Sequence, residues 1–280
     1  MSKDYSISLL CECLGVSRSG YYTSRTRKAQ VNLEEKALVE AMHQMPSGRR
    51  SYGYRRMSDA LNEQGFEVNH KRVYRLMDRE GLLQKKKKRY KPKTTDSSHS
   101  QPIAPNLLKQ LPRITSINQA WQADITYIPT LEGWLYLAVV IDSYSRRILG
   151  YNFSDTLHAK IAVKSLQMAT LTRSRMPRGV IFHSDRGSQY ASSHFRNELK
   201  CHGFKQSMSA KGNCYDNALA ESFFSRLKNE AVHDVRFSSR QEAKEQVFEW
   251  MMGFYNSTRI HSSLKSSPIR FENNMEYGTN

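Results

Sequence analysis

The chain has 280 residues, 39% of them hydrophobic, and a formal charge of +17 at pH 7. That length can bury a sizeable core and suits two domains or one core with an appendage, while the charge points to a polyanionic partner, either nucleic acid or an anionic membrane surface. No apolar run is long enough to cross a bilayer, and "MSKDYSISLL" lacks the apolar stretch of a signal peptide, so a soluble, intracellular protein is expected.

Most of the positive excess falls in residues 1–93, which makes this region the expected source of sequence-independent DNA affinity. "YSISLLCECLGVSRSGYY" predicts a short helix, Gly15 just past its end, and Ser17 as N-cap of a second helix carrying Arg18. "NLEEKALVEAM" predicts a further helix, with Asn32 and Glu35 spaced as a capping box. A second helix-turn-helix-like unit follows: a helix after Gly53, a turn at Gly65, an Asn69 cap, a helix with Val73, Leu76 and Met77 inward, and a stop at Gly81. On that last helix Arg72, Arg75 and Arg79 form the basic face that would meet DNA. Residues 1–84 are thus expected to be helical. Residues 85–112, with "KKKKRYKPK" and a Pro/Ser/Thr-rich tail, read as a basic linker in which Lys86 and Lys87 track phosphates.

From residue 113 the pattern changes. "AWQADITYIPT" alternates, with Trp121, Ala123, Ile125 and Tyr127 on one side and Gln122, Asp124 and Thr126 on the other. "WLYLAVVID" reads as a buried strand and "RRILGYNF" as a third, giving an antiparallel meander. Thr156 precedes an amphipathic helix over 157–172, "GVIFHSD" is a buried strand, "SHFRNELKCHG" a helix closed by Gly203, and "KQSMS" a short strand. In "NALAESFFSRLKNE", Asn217 is the expected N-cap, and Ala220, Phe223, Phe224 and Leu227 form one apolar face. Residues 239–256 predict a last helix. Together these imply an α/β class, a mixed sheet with helices on its faces.

Three carboxylates stand out: Asp124 on the polar side of the first strand, Asp185 at the carboxyl end of a buried strand, and Glu221 beside an apolar helical stripe. Thirty-five residues separate the last two. Converging carboxylates suit hard divalent cations. Two such ions about 3.5–4 Å apart can stabilise both the attacking and the leaving oxygen of a phosphoryl displacement. Cys11, Cys13, Cys201 and Cys214 lack the spacing of a zinc site or disulfide framework and read as reduced thiols.

Asp124 in "WQADITYI", Asp185 in "HSDRGSQY", Glu221 thirty-five residues on, Lys228 seven after it, and "YNSTRIHSSLKSSP" near the end resemble the DDE transposases of the insertion-sequence-three family. These are the OrfB-type products, related to retroviral integrases, and the resemblance spans essentially the whole chain. It implies a ribonuclease-H-like five-stranded mixed sheet over residues 113–280, preceded by the helix-turn-helix DNA-binding region. It also implies cleavage and strand transfer of DNA with two Mg²⁺ ions, or Mn²⁺ in their place, held by Asp124, Asp185 and Glu221. Lys228 would grip DNA near the site, and Arg259 would be a further DNA contact. Tyr255, Asn256 and His261 of the C-terminal motif, together with Asp142 and His183, read as structural, and Asp216 as a turn or capping residue.

The implied partners are transposon terminal repeats, target DNA, a second copy of the chain, and an upstream OrfA protein or fusion, in the cytoplasm of a bacterium at its nucleoid. Two competing readings are a DNA-binding regulator built on an inactive core and a plain ribonuclease-H-like nuclease. The intact triad argues against the first, and the basic N-terminal region with Lys228 against the second.

Overall fold

The computed structural model describes residues 5–46, 49, 51–84, 99–173, 177–210, 217–233 and 235–276. The chain divides into two compact units, Met1–Lys87 and Lys88–Asn280.

In the first unit, α1 (Ile7–Cys13) starts at Ser6, whose Oγ accepts from the Leu9 amide at 3.3 Å. It ends where Gly15 turns left-handed at φ +64° and the Val16 amide reaches back to the Cys11 carbonyl. Ser17 caps α2 by accepting from Gly20 at 2.9 Å. The helix expected to begin after Asn32 does not exist separately, because α2 runs unbroken from Arg18 to His43. After Gly20 it contains no glycine or proline, and good helix formers carry it past the capping-box pattern. Helices α3 (Tyr54–Glu63) and α4 (His70–Arg79) flank the Gly65 turn, with φ +93° there. Asn69 caps α4 by accepting from the Arg72 amide at 3.0 Å. Leu38, Met42, Met57, Leu61, Val73, Leu76 and Met77 are buried, the last three as the predicted stripe of α4. Each large side chain so buried contributes about 1.5–3 kcal/mol.

The second unit is built on a five-stranded sheet in the order β3-β2-β1-β4-β5. Strands β1 (Ala120–Thr130), β2 (Gly133–Asp142) and β3 (Ile148–Ser154) form the antiparallel meander. Strand β4 (Ile181–Ser184) lies parallel to β1, and β5 (Lys205–Met208) parallel to β4. This is the ribonuclease-H-like arrangement.

Strand β2 is apolar throughout because both its faces are covered. Val140 points into a cluster with Trp121, Leu166, Phe182 and Phe195, under α5 (Lys160–Thr172) and α7 (Ser193–Cys201). Leu135, Leu137, Val139 and Ile141 point the other way, into a cluster with Phe223, Phe224, Leu227 and Val247. That cluster lies under α8 (Ala218–Leu227) and α9 (Arg240–Phe248). On the face of α5 and α7, a short α6 (Ser188–Ala191) follows β4 and adds Tyr190 and Ala191 to their cluster. Thr156 does not cap a helix: its amide donates to Ser154 Oγ in a turn, and α5 begins only at Lys160.

Two helices change winding. α8 passes into a π-helical turn at Lys228–Val232, and α9 into another at Glu249–Asn256. The last helix, α10 (Pro268–Glu276), is tied down through Glu272, which is 1% exposed and meets Ser145, Arg147 and Arg173. Asp142 is structural as expected, accepting from the amides of Asn118, Tyr144 and Ser145.

Candidate active site

Asp124 and Asp185 come together because the sheet pairs β1 and β4 in parallel. Gln122 stands opposite His183, so two residues further along both strands, in the same direction, lie Asp124 and Asp185. A narrow cleft is lined by both, with Tyr127, Tyr136, Gln189 and Tyr190 among its walls.

Asp124 is half-buried. Burial, and then the charge of Asp185, hold its pKa well above the ordinary carboxylate value; Glu221 adds to the rise, while the Ile125 amide at 2.8 Å and the Lys228 ammonium oppose it. Asp185 is fixed by the Gly187 amide, which donates to its Oδ1 at 2.9 Å.

Glu221 stands exposed in the first turn of α8. That helix is anchored by Ala220, Phe223, Phe224 and Leu227, all buried. The Phe223 ring meets Tyr255 edge-on at 5.0 Å and Trp250 at 5.9 Å. Asn217 does not cap α8 through its side chain; its Nδ2 donates to the Ala123 carbonyl of β1 at 3.4 Å, beside Asp124.

Among the described residues no three His, Cys, Asp or Glu side chains are gathered closely enough to hold a metal ion. Asp185 and Glu221 are therefore electrostatic neighbours of Asp124 and not yet a closed cage. The donor chemistry still fits a hard divalent cation: the three residues are carboxylates, and after burial the charges of Asp185 and Glu221 raise the proton affinity of Asp124. A bound cation would relieve that repulsion.

Lys228 keeps its α-helical place at the end of α8, its amide donating to the Phe224 carbonyl. The π-helical turn begins at this residue, and its Nζ lies 4.2 Å from the centre of the Tyr127 ring, next to Asp124. Burial lowers its pKa and the charge of Asp124 opposes that.

The expected DNA contacts divide. Arg18 and Arg75 are exposed. Arg72 is held by Glu34 of α2 at 3.2 Å and Arg79 by Glu35 at 2.8 Å, so both arginines help bind α4 to α2. The exposed face of α4 consists of His70, Lys71, Tyr74, Arg75, Asp78 and, its ion pair notwithstanding, Arg79.

Arg259 is not a surface DNA contact. It is 1% exposed, and its Nε and Nη2 grip the Glu230 carboxylate at 2.8 and 2.6 Å. The C-terminal motif is structural more broadly: the Asn256 side chain satisfies both the amide and the carbonyl of Ile148 at 3.0 Å each. His183, as expected, is met locally, its Nδ1 lying 2.8 Å from Ser207 Oγ. Lys86, Lys87, Cys214 and Asp216 lie outside the described residues. Tyr127 and Tyr190, two walls of the cleft, were not singled out by sequence, since an aromatic residue in a strand or beside a helix reads simply as core.

An Integrase core domain model matches residues 115–214, a second Integrase core domain model matches 202–268, and an HTH-like domain model matches 30–90. Transposase InsF for insertion sequence IS3A of Escherichia coli (strain K12) is 40% identical over 275 residues, 96% of this chain and 95% of that protein. An insertion element IS600 uncharacterized 31 kDa protein of Shigella sonnei is 42% identical over 265 residues, 94% and 97% of the two chains. A chain of the simian T-cell lymphotropic virus intasome in complex with PP2A regulatory subunit B56 gamma aligns over 76% of this chain and 69% of its own, at 16% identity and a TM-score of 0.48.

Proposed function

The chain belongs to the IS3-family insertion-sequence transposases, and from that membership we propose that it cuts and joins DNA strands at transposon ends with Asp124, Asp185 and Glu221 as the metal-holding acids. It is a transposase with an integrase core and an HTH-like region. The observation that supports the proposed site is the meeting of Asp124, within β1, with Asp185, just past the end of the neighbouring parallel strand β4, and with Glu221 close enough to be felt electrostatically.

Asp124, shared between its two acidic neighbours, would hold both of two Mg²⁺ ions, or Mn²⁺ in their place, while Asp185 and Glu221 would each hold one. Such ions, when bound, neutralise charge on the transferring phosphate and activate the attacking oxygen. The chain's own side chains supply the remainder. Packing of Phe223 against Tyr255 and Trp250 aims Glu221. Lys228, stacked on Tyr127 at the edge of the cleft, would take a substrate phosphate there. Water would attack at the transposon end, and the freed 3′-hydroxyl would then displace another phosphodiester oxygen in line, with no protein–DNA bond formed.

In the first unit, the exposed side chains of α4 would read the terminal repeats, with Arg18 adding phosphate contact. A dimer or larger assembly would bring two ends together, with an OrfA protein as partner or fusion. No described helix is long and apolar enough to cross a membrane.

Labelled duplex carrying the element's terminal repeats, incubated with protein and Mg²⁺ or Mn²⁺, tests the site directly. Wild type should cleave and join, whereas Asp124→Asn and Glu221→Gln should bind the ends and leave them intact. Joined products from either variant would remove the acid assignment, and end binding without cleavage by wild type would favour a regulator.

A further inference from the structure

Tyr190 is 1% exposed on the short helix α6, and its hydroxyl has no hydrogen-bond partner among the described residues. Buried hydroxyls are almost always paired, so an unpaired one is an unmet demand for an acceptor. It lies in the wall of the cleft that Asp124 and Asp185 share. Both carboxylates act on it: burial first, then Asp124 and Asp185, push the phenol pKa well above its ordinary value.

The ring is not free to turn and satisfy itself. Phe195 meets it edge-on at 5.3 Å, and its own backbone carbonyl accepts from Gln206 Nε2 at 2.8 Å. Packing thus holds a neutral donor beside two carboxylates without letting it bond to either. Phenylalanine would fill the same apolar space without that cost, so packing alone does not explain the hydroxyl.

We infer that the Tyr190 hydroxyl is a substrate-contacting group, donating to a non-bridging oxygen of the phosphodiester that undergoes transfer. The inference rests on the reading of Asp124 and Asp185 as the reaction site. A phosphate drawn to the acids brings an acceptor for the hydroxyl, which bonds to neither carboxylate, and a neutral hydroxyl meets it without competing with a cation for the carboxylates. A fixed, desolvated donor counts most when negative charge shifts on that phosphate.

Tyr190→Phe tests this, because it removes one oxygen atom and nothing else. Its metal-free melting temperature should equal or exceed that of wild type, since an unpaired buried hydroxyl is lost. Its affinity for end duplex without metal should be unchanged, while single-turnover cleavage and joining at saturating Mn²⁺ should fall about 10- to 100-fold, as for loss of a hydrogen bond to a charged group. Wild-type rates would overturn the inference. So would a melting temperature that drops along with activity, which marks a structural hydroxyl, or full rescue by excess Mn²⁺, which marks a role in holding metal. Asp124→Asn run in parallel separates the two ideas: joining by that variant would undo the site itself, whereas an inert Asp124→Asn beside a fully active Tyr190→Phe would undo only the tyrosine.

Discussion

Glu272 is buried, and burial pushes its pKa up, but hydrogen bonds and charge from Arg173, with Ser145 and Arg147, hold it below the ordinary carboxylate value. The partners stand at 2.6–2.9 Å. Because the folded pKa lies below the unfolded one, this group's contribution to stability is complete above the usual carboxylate range and fades as pH falls through the folded value. Glu272→Gln leaves a partly exposed Arg147 facing an uncharged amide and Arg173 with Asp142 as its remaining acid, and should cost about 1.5–3 kcal/mol at neutral pH. The difference from wild type should narrow on acidification, as denaturant titrations at pH 7 and near pH 4 will reveal. Charges of this kind were opaque in the sequence: Arg259 looks the same whether it meets a phosphate or the buried Glu230, whose partnership exists only after the chain has folded. Asp124 and Asp185 were legible as candidates because one falls on the polar side of an alternating strand and the other at the carboxyl end of a buried one, where ligand-binding groups collect.

At the level of elements, helix ends followed local chemistry closely. Ser17 and Asn69 cap, and Gly15, Gly65 and Gly81 turn left-handed, all from side chains and backbone freedom that act within a few residues. Helix faces did not follow so directly. Arg72, Arg75 and Arg79 share one face by spacing, yet Glu34 and Glu35 of α2 claim the outer two. Arg75→Ala should therefore weaken binding to end duplex and reduce the salt slope by about 0.9, the loss of one phosphate contact, with thermal stability intact. Arg72→Ala should instead lower the melting temperature more than the affinity. Fluorescence anisotropy across a salt series, paired with melting curves, separates these outcomes, and equal effects of the two variants would restore the three-arginine face. Helix α8 carries the same lesson, since its predicted apolar stripe is correct but the partner of Lys228, the Tyr127 ring of β1, is set by tertiary packing and not by helical spacing.

Across the molecule, the integrase-core unit holds its candidate site in a state of mutual repulsion. The raised folded pKa of Asp124 means that its stabilising contribution is present at acidic pH and is lost as pH rises through that pKa, so the metal-free protein at pH 7 carries an electrostatic burden there. Mg²⁺ should raise the wild-type melting temperature at pH 7, with stabilisation reaching about 2.7 kcal/mol at a hundred times its dissociation constant. Asp124→Asn should melt higher than wild type without metal and respond less to it; scanning fluorimetry with and without Mg²⁺ checks both, and identical metal responses would exclude Asp124 as a ligand. The sequence by itself determined the α/β class, the strands and their order of appearance, the helical N-terminal region, and which three acids are the candidates, because periodicity, turn residues and carboxylates beside apolar stripes or at strand ends are local signals. Only the tertiary structure decided that Arg259 is locked inside, that α2 is one helix, that α4 offers Lys71, Tyr74 and Arg75, and that Tyr190 stands beside the acids. Each of those outcomes depends on a partner distant in the sequence, or on competition between neighbouring segments for the same backbone, and neither leaves a period in the chain.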